Sequence, residues 1–263
     1  MDQIAALIND IRFSLLLIAL LFFNFSQITS AFRFRTYLTV IDIKLPLWDT
    51  TKLYYLGMFY NLFLPGGIGG DGYKIWILKK EFSKSWKSLV LISFLERLNG
   101  VAALITLAIA IFSFIPAVKI WGTPPFAYLL LAIIIFPGLY LLMRIMLKKY
   151  TQYFITITLQ SLLIQALQLI CAYFILVALG LESNFMSYLF LFLISSVAAV
   201  IPVTVGGIGA REMVFIYGST FLPVDTNLAV GFSLVFFLIT ATSSFSGIFF
   251  DTSKETMVTS RQS

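Results

Sequence analysis

Asn61-Leu62-Phe63-Leu64-Pro65-Gly66-Gly67-Ile68-Gly69-Gly70-Asp71-Gly72-Tyr73-Lys74 is the stretch whose reading decides the fold. Residues 53–64 ahead of it are apolar but number only 12, whereas a membrane span needs about 20. Proline stops a helix, and glycine lets backbone bend or come close to other groups. The stretch therefore reads as a helix that enters the bilayer and breaks, with two charges just past the break. A second copy of the pattern follows far along the chain, Ile201-Pro202-Val203-Thr204-Val205-Gly206-Gly207-Ile208-Gly209-Ala210-Arg211-Glu212. Gly-Gly-Ile-Gly occurs in both, at 66–69 and 206–209. A charged helix break repeated in two halves of a membrane chain points to a binding site near the bilayer midplane.

The surrounding sequence makes the membrane assignment firm. Of 263 residues, 60% are hydrophobic and 11% charged, with a mean hydropathy of +0.97. No soluble domain of this size hides so much apolar surface. The apolar runs are continuous rather than alternating, so helices and not barrel strands cross the bilayer. The class is all-α: a polytopic helical membrane protein with two oppositely oriented broken or re-entrant hairpins, an inverted repeat. Histidine is absent and Cys171 is the single cysteine, which leaves no histidine catalysis, usual zinc site or intrachain disulfide. Neither a cofactor nor a metal is expected. The net charge of +6 fits basic cytoplasmic loops better than nucleic acid as a partner.

Full spans are predicted near 13–32, 88–115, 126–147, 155–180 and 228–250. Residues 186–205 are long enough to cross, but Pro202 and Gly206-Gly207 break the end. A second short piece is predicted over 213–222. Placing the 66–74 break as entering from the cytoplasm assigns 14 of the 18 lysines and arginines to that side, Arg33, Arg35, Lys74 and Lys149 among them. Arg12 and Lys119 fall outside, and Arg97 and Arg211 stay within the membrane. By the positive-inside rule the protein is multi-pass in the cell (inner) membrane, with its N-terminus outside and C-terminus cytoplasmic. Residues 1–251 form one transmembrane domain and 252–263 a short polar cytoplasmic tail.

At the first break Asp71 is a natural N-cap. Free N–H groups and the helix dipole would then favour an anion, with Lys74 adding a full charge. Gly67 to Gly72 matches the dinucleotide fingerprint by letters alone, since no strand precedes it. At the second break Arg211 offers fork geometry to phosphate or carboxylate, with Glu212 in the first turn. Between the breaks lies Glu96-Arg97-Leu98-Asn99-Gly100, two opposite charges inside an apolar helix that need partners. Glu96 is expected to pair with Arg211 or Lys74, and Arg97 with Asp71 or Glu212. Gln160, Gln165 and Gln168 form a polar stripe expected to bond between helices. Trp48, Trp76, Trp86 and Trp121 flank spans as interface anchors.

These motifs resemble a known family, the membrane domain of lysyl-phosphatidylglycerol synthase/flippase proteins and their stand-alone relatives. The likeness rests on Asn61, Leu64-Pro65 and Gly69-Gly70-Asp71, on Glu96-Arg97 and Gly100, and on Pro202 with Gly206-Gly207-Ile208-Gly209 and Arg211-Glu212. The family usually carries arginine where Lys74 stands, and a first helix ahead of residues 4–12. The resemblance implies movement of a phospholipid between leaflets. Without the soluble lysyl-transfer domain of the resembling synthases, aminoacyl transfer is not carried over. The expected cargo is an anionic or zwitterionic phospholipid, held by Asn61, Pro65, Gly66, Gly67, Gly69, Gly70, Asp71, Lys74, Glu96, Arg97, Pro202, Thr204, Gly206, Gly207, Gly209, Arg211 and Glu212. The competing readings are an intramembrane transferase acting on a lipid-linked substrate, with Glu96, Asp71 or Glu212 as acid–base groups, and a non-transporting partner of a membrane enzyme. Membrane lipid is the expected partner; a second copy or a membrane enzyme stays open.

Overall fold

The computed structural model describes residues 12–64, 69–115, 124–200 and 209–250. Every regular element among them is helical: α1 Phe13–Val40, α2 Leu47–Phe63, α3 Gly69–Phe82, α4 Trp86–Phe112, α5 Pro125–Met146, α6 Phe154–Ala178, α7 Phe185–Val200, α8 Ala210–Gly218 and α9 Thr226–Phe245. A 3₁₀ turn at Lys148–Tyr153 leads into α6, and another, Ser246–Phe249, follows α9. In hydrocarbon the backbone must satisfy its own polar groups, and a helix does so within one segment. Five helices are long and apolar enough to cross a bilayer: α1, α4, α5, α6 with its leading turn, and α9 with its trailing one. They coincide with the five predicted spans, although α1 runs on to Val40 instead of ending near residue 32.

The two interrupted segments are also helical and short. Helices α2 and α3 have 17 and 14 residues, and α7 and α8 have 16 and 9. Over these described residues, at 1.5 Å per residue, none of the four is long enough to cross a ~30 Å core upright. Helix α2 starts at Leu47, earlier than the predicted 53, directly after Pro46 at its N-cap. Helix α8 begins at Ala210 and ends at Gly218, short of the predicted 222.

Long helices α1 and α6 run antiparallel. The Arg12 N–H donates to the Ala178 carbonyl at 3.3 Å, Phe22 stacks on Phe174, and the Arg33 guanidinium reaches Ser161. Apolar packing falls into two half-cores. One gathers Phe34, Tyr37, Leu53, Ile75, Leu89, Ile92, Tyr150 and Ile157. The other gathers Phe23, Leu104, Cys171, Ile175, Phe192, Phe215 and Phe232. Helices α1, α4 and α6 pass through both. The α2–α3 pair belongs to the first half-core, and α7, α8 and α9 belong to the second.

Between the half-cores the same three helices carry buried polar residues: Ser26, Ser30 and Arg33 on α1, Glu96 and Asn99 on α4, and Thr158, Ser161 and Gln165 on α6. Their spacings of three and four put each set on one helix face. A polar layer in the middle of an apolar bundle is expensive unless paired, and marks function. Helix α5 is peripheral: it packs on α4 and the adjoining 3₁₀ turn and shows most of its apolar surface outward.

Candidate functional site

Helix α3 starts against α2 so tightly that side chains are excluded. A Cβ on Gly70 would lie 1.8 Å from the Gly57 carbonyl oxygen. The Gly70 N–H, one of the donors a helix start leaves unpaired, donates to Asn61 Oδ1 at 2.8 Å. Asn61 on α2 thus caps α3 from across the break, a role expected of Asp71. Asp71 is the third residue of α3, and its carboxylate turns to side-chain cations instead.

Those cations build the site. Lys74, one turn past Asp71, places Nζ 2.8 Å from Asp71 Oδ1 and 3.7 Å from Glu96 Oε2. Its ammonium lies 4.5 Å from the ring centre of Phe34 and 4.9 Å from that of Tyr54. Its methylene stem passes beside Gly57, where an added Cβ would come within 3.1 Å. Desolvated cation–π contacts of this kind contribute about 2 kcal/mol. The Arg97 Nε and Nη2 atoms both reach Asp71 Oδ2 at 2.7 Å. Arg33 Nη2 lies 3.5 Å from Glu96 Oε1, and Nη1 donates to Ser161 Oγ at 2.8 Å. Three cations therefore face two carboxylates. Arg33, Lys74 and Glu96 are buried, while the Arg97 side chain is 30% exposed.

The cluster lines a cavity of about 260 Å³. Tyr54 and Asn61 approach from α2, Gly100, Val101 and Leu104 from α4, and Gln165 from α6. Ala199 and Val200, the last residues of α7, close another side. The helix leading into the second break thus borders the chamber built by the first.

The second motif forms its own constellation. Arg211 at the start of α8 donates to Ser196 Oγ at 3.2 Å, its guanidinium 4.8 Å from the Phe236 ring centre and 5.7 Å from that of Phe192. Among the described residues no carboxylate lies within ion-pair distance of it. Glu212 accepts the Gly209 N–H at 2.6 Å through Oε2 and the Ser233 hydroxyl at 2.7 Å through Oε1. Gly209 adopts φ +88°, which glycine takes without strain.

Several expectations need correction. Glu96 pairs with Lys74, as one alternative held, and with Arg33 rather than Arg211. Arg97 pairs with Asp71, the first of the two expected partners. One N–H at each of the two helix starts is taken by a side chain, Gly70 by Asn61 and Gly209 by Glu212. Arg33 and Lys74, assigned to the cytoplasmic side, lie buried in the polar layer. Arg33 is the residue that sequence reading missed. Its signal is the spacing Ser26, Ser30, Arg33, Tyr37, one polar face continuing beyond the predicted end of the first span. Pro65, Gly66, Gly67, Pro202, Thr204, Gly206 and Gly207 fall outside the described residues, as does Trp121.

The model of the lysylphosphatidylglycerol synthase TM region matches residues 1–155 and 150–245. The chain belongs to this family. In this lysylphosphatidylglycerol synthase TM-region protein, the matched residues take in both breaks and the Glu96-Arg97 pair. No curated protein matches the chain.

Proposed function

We propose that the protein moves an anionic or zwitterionic phospholipid between leaflets, with the headgroup phosphate seated in the Arg33–Lys74–Arg97 cavity. The observation that carries this reading is the charge imbalance: three cations against two carboxylates around one chamber in a membrane interior. One excess positive charge in a low-dielectric setting attracts an anion strongly. About 260 Å³ is less than the ~300–1,000 Å³ of pockets that enclose a drug-sized ligand. It suits a headgroup, with acyl chains left in the bilayer. Arg97, the most exposed cation of the cluster, exchanges Asp71 for the phosphate in this scheme. Arg211, held by aromatic rings and Ser196, receives the headgroup on the other side of the polar layer.

The two short helix pairs belong to opposite half-cores, which supports hairpins inserted from opposite faces. Moving two of the fourteen cytoplasmic basic residues, Arg33 and Lys74, into the interior leaves twelve against Arg12 and Lys119. That bias still favours an outside N-terminus and a cytoplasmic C-terminus in the cell membrane. Of the carboxylates that an intramembrane transferase would need, Asp71 and Glu96 are each shared by two cations, and Glu212 accepts the Gly209 N–H and the Ser233 hydroxyl. With all three engaged by groups of the protein itself, transport is preferred to group transfer.

The test is reconstitution in vesicles with a headgroup-labelled phospholipid, following loss of label from the outer leaflet. Arg97→Ala is expected to slow exchange at least tenfold, and Arg211→Ala to slow it as well. Equal rates for wild type and both variants would remove the site from the mechanism.

A further inference from the structure

Among the described residues, seven buried side-chain polar atoms have no hydrogen-bond partner: Arg33 Nε, Glu96 Oε1, both amide atoms of Asn99, Tyr150 Oη, Thr158 Oγ1 and Gln165 Oε1. Glu96 Oε1 lies 3.5 Å from Arg33 Nη2, within ion-pair distance, yet accepts no hydrogen bond. Buried polar atoms in native proteins nearly always find partners. These orphans also belong to one region, on α1, α4, α6 and the turn that leads into α6.

Contacts between the helices put the atoms in order. The Arg33–Ser161 hydrogen bond and the Arg33–Glu96 pair set one level across α1, α4 and α6. Tyr37, one turn past Arg33, donates to the Leu95 carbonyl at 3.0 Å, so α4 runs antiparallel to α1, as α6 does. Asn99 and Gln165 therefore lie on the same side of that level, each one turn along its helix. Thr158 and then Tyr150 lie on the opposite side, where the Tyr150 ring centre is 5.2 Å from that of Tyr37. Gln165 to Thr158 alone covers about 10 Å of helix. Exposed Lys148 and Lys149 come directly before Tyr150.

No one solute group satisfies this set. Arg33 Nε and Asn99 Nδ2 only donate; Glu96 Oε1, Asn99 Oδ1 and Gln165 Oε1 accept; the Tyr150 and Thr158 hydroxyls do both. Asn99, Thr158 and Tyr150 are not among the residues lining the chamber, so a headgroup seated there does not reach them. Water donates and accepts alike, and a buried water typically makes about three hydrogen bonds to otherwise unsatisfied groups.

We propose that these atoms hold a string of ordered waters running from the charged chamber past Thr158 to Tyr150, where it meets the exposed turn at Lys148 and Lys149. The string gives the Arg33–Glu96 pair a solvent connection through the interior of the bundle and refills the chamber when its cargo leaves. Asn99 and Thr158 are positioning residues that hold water and touch no cargo. The inference stands on the orphaned atoms, whichever solute the chamber carries.

X-ray radiolysis generates hydroxyl radicals from water where that water sits, and so marks buried side chains beside it. Tyr37 and Tyr150 are fully buried; Phe215 and Phe232 are equally buried but among aromatic rings of the second half-core. Mass spectrometry of irradiated protein in lipid nanodiscs is expected to show the two tyrosines modified about tenfold faster than the two phenylalanines, as bound water beside them requires. Asn99→Leu with Thr158→Val, each close in shape and without the polar atoms, is expected to slow tyrosine modification at least threefold and leave labelling elsewhere unchanged. Tyrosines as slow as the phenylalanines, or as fast in the double variant as in wild type, overturn the string. Melting gives a second reading. Removing an unsatisfied hydroxyl from a dry bundle raises Tm, whereas removing a partner of bound water lowers it. Thr158→Val is therefore expected to melt below wild type, and a higher Tm counts against the proposal. Should the double variant fail to fold, the wild-type labelling ratio and Thr158→Val decide the matter.

Discussion

Gly70→Ala and Gly72→Ala sit two residues apart on α3 and should move stability in opposite directions. At Gly70 the new Cβ would meet the Gly57 carbonyl oxygen at 1.8 Å and its carbon at 2.6 Å. Ordinary contact begins near 3.4 Å, so α2 and α3 must part by about 1.6 Å along that line. Both obstructing atoms are backbone and cannot rotate away. Overpacking typically costs about 1–3 kcal/mol, and this case belongs at the upper end. Parting the helices also pulls Lys74 from Tyr54 and the Gly70 N–H from Asn61. At Gly72 nothing lies within 4 Å of the added carbon. Alanine there gains about 0.8–1 kcal/mol of helix propensity over glycine. With ~2–4 °C per kcal/mol for a chain approaching this size, Gly70→Ala should lower Tm by roughly 6–12 °C and Gly72→Ala raise it by about 2–4 °C. Tryptophan fluorescence during heating in detergent reads both, since Trp48, Trp76 and Trp86 are exposed and well spread. Equal shifts of the same sign in the two variants would refute the close α2–α3 approach.

Removing a carboxylate from the cluster should cost more than removing a cation. Glu96→Gln leaves Arg33, Lys74 and Arg97 facing Asp71 alone, whereas Arg33→Gln leaves two charges of each sign. Breaking a buried pair costs about 3–5 kcal/mol, so Glu96→Gln should have the lower Tm of the two; the reverse order would remove the assigned pairing. Lys119→Cys should label with an impermeant thiol reagent on intact cells, because native Cys171 is fully buried and contributes no background. Labelling only after lysis would invert the proposed topology. Arg211→Lys should slow lipid exchange nearly as much as Arg211→Ala, since an ammonium lacks the planar, many-donor guanidinium held by Ser196 and the Phe192 and Phe236 rings; full activity in the lysine variant would reduce Arg211 to a point charge.

Which parts of this were legible in the sequence follows from the range of the forces involved. Span positions depend on local hydropathy, and all five were readable from the chain. The helix end at Phe63 was readable because the proline and glycines that follow act on their own backbone, whereas the end of the 186–205 stretch lies outside the described residues. The pairing of Asp71 with Arg97 was among the readable alternatives, since buried charges must find partners and few were on offer. The choice between Lys74 and Arg211 for Glu96 depends on how helices dock, which no local pattern encodes. Arg33 was lost for a narrower reason: it lies just past the apolar run, and hydropathy alone treats such a residue as the start of a loop. The face formed with Ser26, Ser30 and Tyr37 carries the needed information at helical period. Asn61 capping α3 was likewise out of reach, because a cap supplied from a different helix leaves no sequence spacing to read.

Arg33 also imposes a timetable on synthesis. When α1 first enters the bilayer its guanidinium has no acidic partner, and an arginine deep in a single helix costs about 2.5–3.5 kcal/mol on insertion scales. Relief comes only when residue 96 and then residue 161 have emerged from the ribosome. Until then the nascent chain must keep that side chain near headgroups or beside the insertion machinery. Helix α5, apolar up to an exposed Arg144 in its last turn, carries no buried charge and can slip into lipid without waiting for a partner.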